Sequence, residues 1–249
     1  MLRWLPLLAG LLPLIAMFGA FAIGVAYGTL PDCNPIIDGC RSISATGRQP
    51  PGSFLFRAIM LPQAVIFALT WYLSWLWLRR LLPGIGRAHE ILLLVAGIVN
   101  PVALIIYVTF LGTTEPIYEF MRRTGIYFGF LGIAVAQLVI ALAMLRTELR
   151  SLARIMLGIL AFVFAIGILN LVLKATLDDP DPAENRIEWI ASILMQAWFF
   201  LLFVAWRRTG PRSRLRRDRD CAAIETGLRS RPGRDGDRAV IETAPRSGP

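Results

Sequence analysis

The sequence predicts an all-α, polytopic membrane protein: a six-transmembrane-helix bundle with both the N and C termini cytoplasmic. Three observations carry this. Hydrophobic residues make up 56% of the 249 positions and the mean hydropathy is +0.60, more apolar character than a water-soluble core and surface can use. The excess falls into six runs long enough to cross about 30 Å of hydrocarbon, which takes roughly 20 residues in helix. Arginine, at the other extreme of the composition, is concentrated in every second loop.

The runs lie at about 4–28, 54–78, 90–112, 124–145, 155–176 and 187–206. Backbone groups in lipid have no water to bond, so each run must be helical. The first follows Arg3 in the manner of a secretory signal, but its apolar stretch far exceeds the usual length of about 7 to 15 residues, so it reads as a retained helix. In the third, Asn100-Pro101 predicts a bend, because proline supplies no N–H to the helix ladder. Gln63, Asn100, Gln137, Asn170 and Gln196 fall within spans, where polar side chains commonly hydrogen-bond across helix interfaces. Asp, Glu, Lys and Arg are missing from the middle of every run, which disfavours ion-coupled transport.

Orientation follows from the loops. One alternating set holds Arg3, then Arg79, Arg80 and Arg87, then Arg146, Arg150 and Arg154, then the run from Arg207 through Arg219. The other holds Arg41 and Arg48, then Arg122 and Arg123, then Arg186, with Arg57 and Lys174 near helix ends where long side chains can reach the interface. The first set is therefore cytoplasmic. Trp71, Tyr72, Trp75 and Trp77 mark an inner aromatic belt together with Trp206, and Trp189 marks an outer one. From Arg207 to Pro249 the chain is rich in Arg, Gly, Pro and Asp and cannot bury enough apolar surface to order itself, so 207–249 reads as a disordered basic cytoplasmic tail. The formal net charge of +9 sits mostly in that tail and in short loops, a placement that suits anionic lipid headgroups and not nucleic acid.

Few residues can carry chemistry. His89 is the single histidine and the cysteines are Cys33, Cys40 and Cys221, so no metal site and no cofactor is expected. Nucleotide-binding, metalloprotease, kinase and nucleophile-elbow motifs are missing. The longest outer loop, Thr29 to Ser53, contains both Cys33 and Cys40, which outside the cytoplasm should form a disulfide. It also offers Ser42, Ser44 and Thr46, but His89 lies on the opposite side of the membrane and cannot serve as their base. Arg57, one turn into the second helix, needs a partner, for which Glu115 and Glu119 are candidates. Arg122 and Arg123 sit on the outer side against the charge bias, and at the start of the fourth helix against its dipole. Such a placement calls for an anion, either Glu119 or a lipid phosphate.

The stretch CRSISATGRQPPGSFLFRA resembles the first outer loop and the opening of the second helix in the Frag1/DRAM/Sfk1 family. Ser42-Ile43-Ser44, Gly47, Pro50 and Arg57 match that pattern, and Glu119-Phe120-Met121-Arg122-Arg123 is similar to the family's segment before the fourth helix. Arg41 stands where the family has proline, and a histidine that some members carry after the arginine is missing here, so no catalytic role tied to that histidine carries over. The family includes a factor that remodels GPI anchors, and the resemblance implies a lipid-facing role. The nearly Arg-only basic content resembles that of a bacterial, GC-rich genome, so the eukaryotic substrate is not transferred.

These residues support a lipid-associated protein of the cell inner (plasma) membrane. Its outer cluster of Ser42, Ser44, Arg48, Arg57, Glu119, Arg122 and Arg123 would recognise a lipid headgroup, with membrane lipids as partners. One alternative is a lipid acyltransferase or hydrolase using a loop hydroxyl with Glu119 as base. The other is a non-catalytic scaffold for other membrane proteins.

Overall fold

The computed structural model describes residues 2–209. Their regular structure is wholly helical: a 3-10 turn (Leu2–Trp4), α1 (Leu5–Ala26), α2 (Ile43–Thr46), α3 (Gly52–Leu81), α4 (Arg87–Thr109), α5 (Pro116–Met144), α6 (Arg150–Thr176) and α7 (Asp181–Arg208). All but the single-turn α2 are long and apolar enough to cross a membrane, giving six candidate spans, one for each expected run. Apart from Arg207 to Thr209, the expected disordered tail lies outside the described residues.

The membrane-length helices after the first begin earlier than hydropathy indicates, and at α5 and α7 the added turns carry charged residues. α5 opens at Pro116, about two turns before residue 124, because proline suits a first helical position and the acidic Glu119 suits a first turn. Glu119, Arg122 and Arg123 consequently stand on the helix itself. α7 opens at Asp181, with Asp181 and Glu184 in its first turn, so Asn185, Arg186 and Glu188 are helical too.

The six crossings bring the described chain ends together: the Trp4 and Phe203 rings stack with centroids 5.2 Å apart. We call this end proximal and the opposite one, formed by residues 27–51, 110–115 and 177–180, distal.

Helices approach closely where glycine removes side-chain bulk. A Cβ on Gly132 of α5 would come within 2.8 Å of the Asn100 nitrogen in α4, and one on Gly10 of α1 within 2.9 Å of the Gln196 carbonyl in α7. Buried polar groups then link the helices: Gln63 donates to the Ala9 carbonyl at 3.0 Å, Gln137 donates to that of Met195 at 3.0 Å, and Asn100 accepts from the Trp71 indole at 3.1 Å while donating to the Gly129 carbonyl at 3.0 Å. Asn170 differs, lying half-buried on a largely bare flank of α6. Only 6% of the most apolar stretch of α6 is buried, and its buried residues, Leu152, Ala153 and Met156, are all near its proximal end.

The aromatic belts need correction. Trp71 and Trp189 are fully enclosed, at 1% and 0% exposure. Trp71 joins Phe67 and Phe199 in an aromatic core, with its ring 5.2 Å from Phe199. Tyr72, next to it in sequence, is the outward-facing residue, at 49% exposure.

Candidate functional site

The distal loop folds on itself before it meets the bundle. Asn34 accepts from the N–H groups of Ile36 and Ile37 at 3.0 and 3.2 Å, and its own N–H donates to Asp38 at 2.8 Å, a side-chain-capped turn. The Cys33–Cys40 disulfide closes this turn. Gly39, with φ of +66°, lies directly against the Pro182 main chain, where a side chain would have neither the space nor the backbone conformation.

The first turns of α7 grip this loop through main-chain acceptors. Asn185 donates to the Gly39 carbonyl at 2.8 Å, Arg186 to that of Asp38 at 3.4 Å, and the Trp189 indole to that of Arg41 at 2.9 Å. Glu188, between them, lies beside the main chain of Ile43 and Ser44. The loop thereby presents α2 with a fixed orientation.

Ser42 caps α2, its hydroxyl accepting from the Ala45 N–H at 3.2 Å. The Ser42 and Ser44 hydroxyls are 3.2 Å apart, and Arg48 donates to the Ser44 hydroxyl at 3.2 Å. Ser42, Ser44 and Arg48 thus form one bonded group. The segment between α4 and α5 lies against it: a Cβ on Gly112, which has φ of +86°, would come within 2.8 Å of the Arg48 carbonyl oxygen.

From α5, Arg122 and Arg123 both donate to Glu119, at 3.4 and 2.7 Å. Arg123 faces outward, whereas Arg122 is buried at 9% exposure. Arg48 is held below the usual arginine pKa by partial burial first and then by the positive charge of Arg122, with Glu119 and Glu188 opposing both. Two guanidinium groups distant in sequence therefore share one neighbourhood. Tyr107 of α4 lies in the same field.

Arg57 is arranged differently from the other predicted residues. It donates to the Leu111 carbonyl, just past the end of α4, where a cation complements the helix dipole, and its Nε has no partner. Glu119 is engaged by Arg122 and Arg123. Sequence reasoning missed Glu188 and Tyr107. A carboxylate just inside the sixth apolar run was the available signal for Glu188; a tyrosine in an apolar run carries none. Among the described residues, no group of three or more His, Cys, Asp or Glu side chains could hold a metal ion.

A family model described as the Frag1/DRAM/Sfk1/Cwh43P N-terminal domain matches residues 1–208. The chain belongs to this family. The match takes in the whole bundle and both halves of the distal cluster, one on each side of the Frag1 domain's α3 and α4. No curated protein and no solved structure matches the chain. In this Frag1 domain, the segment that carries the resemblance has visible physical roles. Ser42 caps α2, Gly47 leaves room for Leu111 and Phe56, and Arg57 ties α3 to the chain after α4.

Proposed function

We propose that the distal cluster binds the phosphate of a membrane lipid headgroup and that the protein serves membrane lipid organisation or remodelling. The observation that carries this reading is that Arg48, bonded to the Ser44 hydroxyl, and the buried Arg122 belong to one distal neighbourhood in which the positive charge of Arg122 opposes that of Arg48. Holding like charges together costs free energy, and an anion between them reverses the sign. The planar donor forks of arginine match phosphate oxygens in pairs, and the Ser44 hydroxyl beside Arg48 adds a polar group at the same place. The cluster caps a bundle of membrane-length helices, so the anion within reach is one carried by a lipid. Membership of the Frag1 family supports the same assignment. The distal end is taken as the outer face of the cell inner (plasma) membrane, on the strength of the arginine distribution.

The test is native mass spectrometry of protein purified in mild detergent. The wild type should retain anionic and zwitterionic phospholipids, and the double variant Arg48→Ala/Arg122→Ala should lose most of them while keeping its thermal stability. Equal lipid recovery from both would overturn the assignment.

A further inference from the structure

Inside the bundle, between its middle and its distal end, lies a cavity of about 90 Å³ bounded by α1, α3, α4, α5 and α7. Its walls are mostly apolar, Pro13, Phe67 and Ile133 among them, and three polar residues interrupt them: Asn100, Tyr107 and Gln196. Phe130, also on the wall, is 41% exposed, so the cavity reaches the outer flank of the helices.

Asn100 is already committed, to the Trp71 indole and the Gly129 carbonyl. Gln196 is not. It is only 8% exposed, and its Oε1 is buried with no hydrogen-bond partner among the described residues. Its main chain is packed against Gly10 of α1, which fixes where the side chain starts. Gln63 and Gln137 also carry an unpartnered Oε1, but each donates to a main-chain carbonyl of another helix, and neither lines the cavity. A buried acceptor without a donor is costly, and hydrocarbon supplies none.

We infer that this cavity is a second lipid site, which takes the hydroxyl end of a hydroxyl-bearing lipid, with the O–H donating to Gln196 Oε1. It stands apart from the distal cluster and does not rest on the headgroup reading, so the two can fail separately.

An O–H donor could come from water or from such a lipid, and the walls favour the lipid. Water is held best by two to four polar partners, whereas an alcohol needs one acceptor for its proton and apolar contact for its carbons. One free amide in a mostly apolar wall is the second arrangement. The space agrees. At roughly 30 Å³ for a water-sized group, the cavity takes a hydroxyl and about two methylenes. The rest of the chain passes Phe130 into the hydrocarbon, where it is already soluble.

The probe is a decanol carrying a diazirine near its hydroxyl, irradiated with delipidated protein in detergent, with the labelled residues mapped by peptide mass spectrometry. Label should fall on the α4 and α5 walls, around Leu104, Ile126 and Ile133. Unmodified 1-decanol should compete roughly tenfold better than decyl methyl ether, which keeps the chain and lacks the donor; tenfold is the scale of one hydrogen bond to a buried acceptor. Gln196→Met keeps the side-chain length and removes the acceptor. It should lose about tenfold in labelling while unfolding at or above the wild-type temperature, because the amide it replaces ties no other helix. A Gln196→Met protein that is unstable or fails to fold gives Gln196 a structural role and overturns the inference. Equal competition by the ether overturns it as well, and so does undiminished labelling of the variant. Wild type whose cavity residues take no label leaves Gln196 to water, and the lipid site falls.

Discussion

The Trp189 indole donates to the Arg41 carbonyl at 2.9 Å, and Asn185, one turn earlier on the same helix, donates to the Gly39 carbonyl at 2.8 Å. Two residues one turn apart on a membrane-length helix thus set the position of an otherwise irregular loop. Main-chain bonds of this kind are indifferent to the loop's side chains, which leaves Ser44 and Arg48 free to face the cluster.

Trp189→Phe keeps an aromatic ring against Phe18 and Phe21 but removes the donor. The variant should lose about 1–2 kcal/mol of stability. Amide exchange at Ala45, Thr46 and Arg48 should accelerate while α4 and α5 stay protected. An unchanged exchange pattern would show that the loop is held by something else.

Glycines on α5 and α6 should respond with opposite sign. Gly132→Ala drives a Cβ into the main chain of α4 at Asn100 and should lower stability by about 1–3 kcal/mol. Gly158→Ala meets nothing within 4 Å and should be neutral or stabilising by about 0.5–1 kcal/mol, the helix preference of alanine over glycine. Thermal unfolding in detergent separates the two.

Asn100→Leu removes both the acceptor of the Trp71 indole and the donor to Gly129, two cross-helix bonds worth about 0.6–2 kcal/mol each. Asn170→Leu changes a half-exposed position on α6 and should cost less. Unfolding by denaturing detergent provides the comparison, and equal losses would contradict the assignment of Asn100 as the cross-helix link.

Gln49→Cys, in a background carrying Cys221→Ser, places a thiol on the exposed distal loop beside Arg48. A membrane-impermeant maleimide added to intact cells should label it. Protection until the membrane is broken would reverse the orientation and remove the cluster from the outer leaflet.

The six crossings were legible because hydrocarbon thickness imposes a length on any apolar run, and a residue count detects it. The starts of α5 and α7 were not, because charged residues dilute the hydropathy there while the helices continue past the apolar core to pack on the distal loop. Ser42, Ser44, Arg48, Glu119, Arg122 and Arg123 could be singled out as polar groups awkwardly placed for a membrane, and the fold gathers them at one end. Arg57 met the same criterion, yet it satisfies a carbonyl at a helix end. Trp71 and Tyr72 are adjacent in sequence and similar in propensity, and one is enclosed while the other faces outward.

By itself, the amino-acid sequence determined the number of candidate spans, the cysteine pair of the distal loop, and which polar groups had to find partners. Only the tertiary structure decided which face of each helix turns inward, and hence that Arg48 bonds Ser44 in the same neighbourhood as Arg122. In a water-soluble helix the contrast between apolar and polar residues reports that face; in a membrane helix the buried flank and the lipid-facing flank are both apolar, and the contrast vanishes. What remains to orient the helices is close packing at small residues and a few buried hydrogen bonds, neither of which can be read before the partner helix is in place.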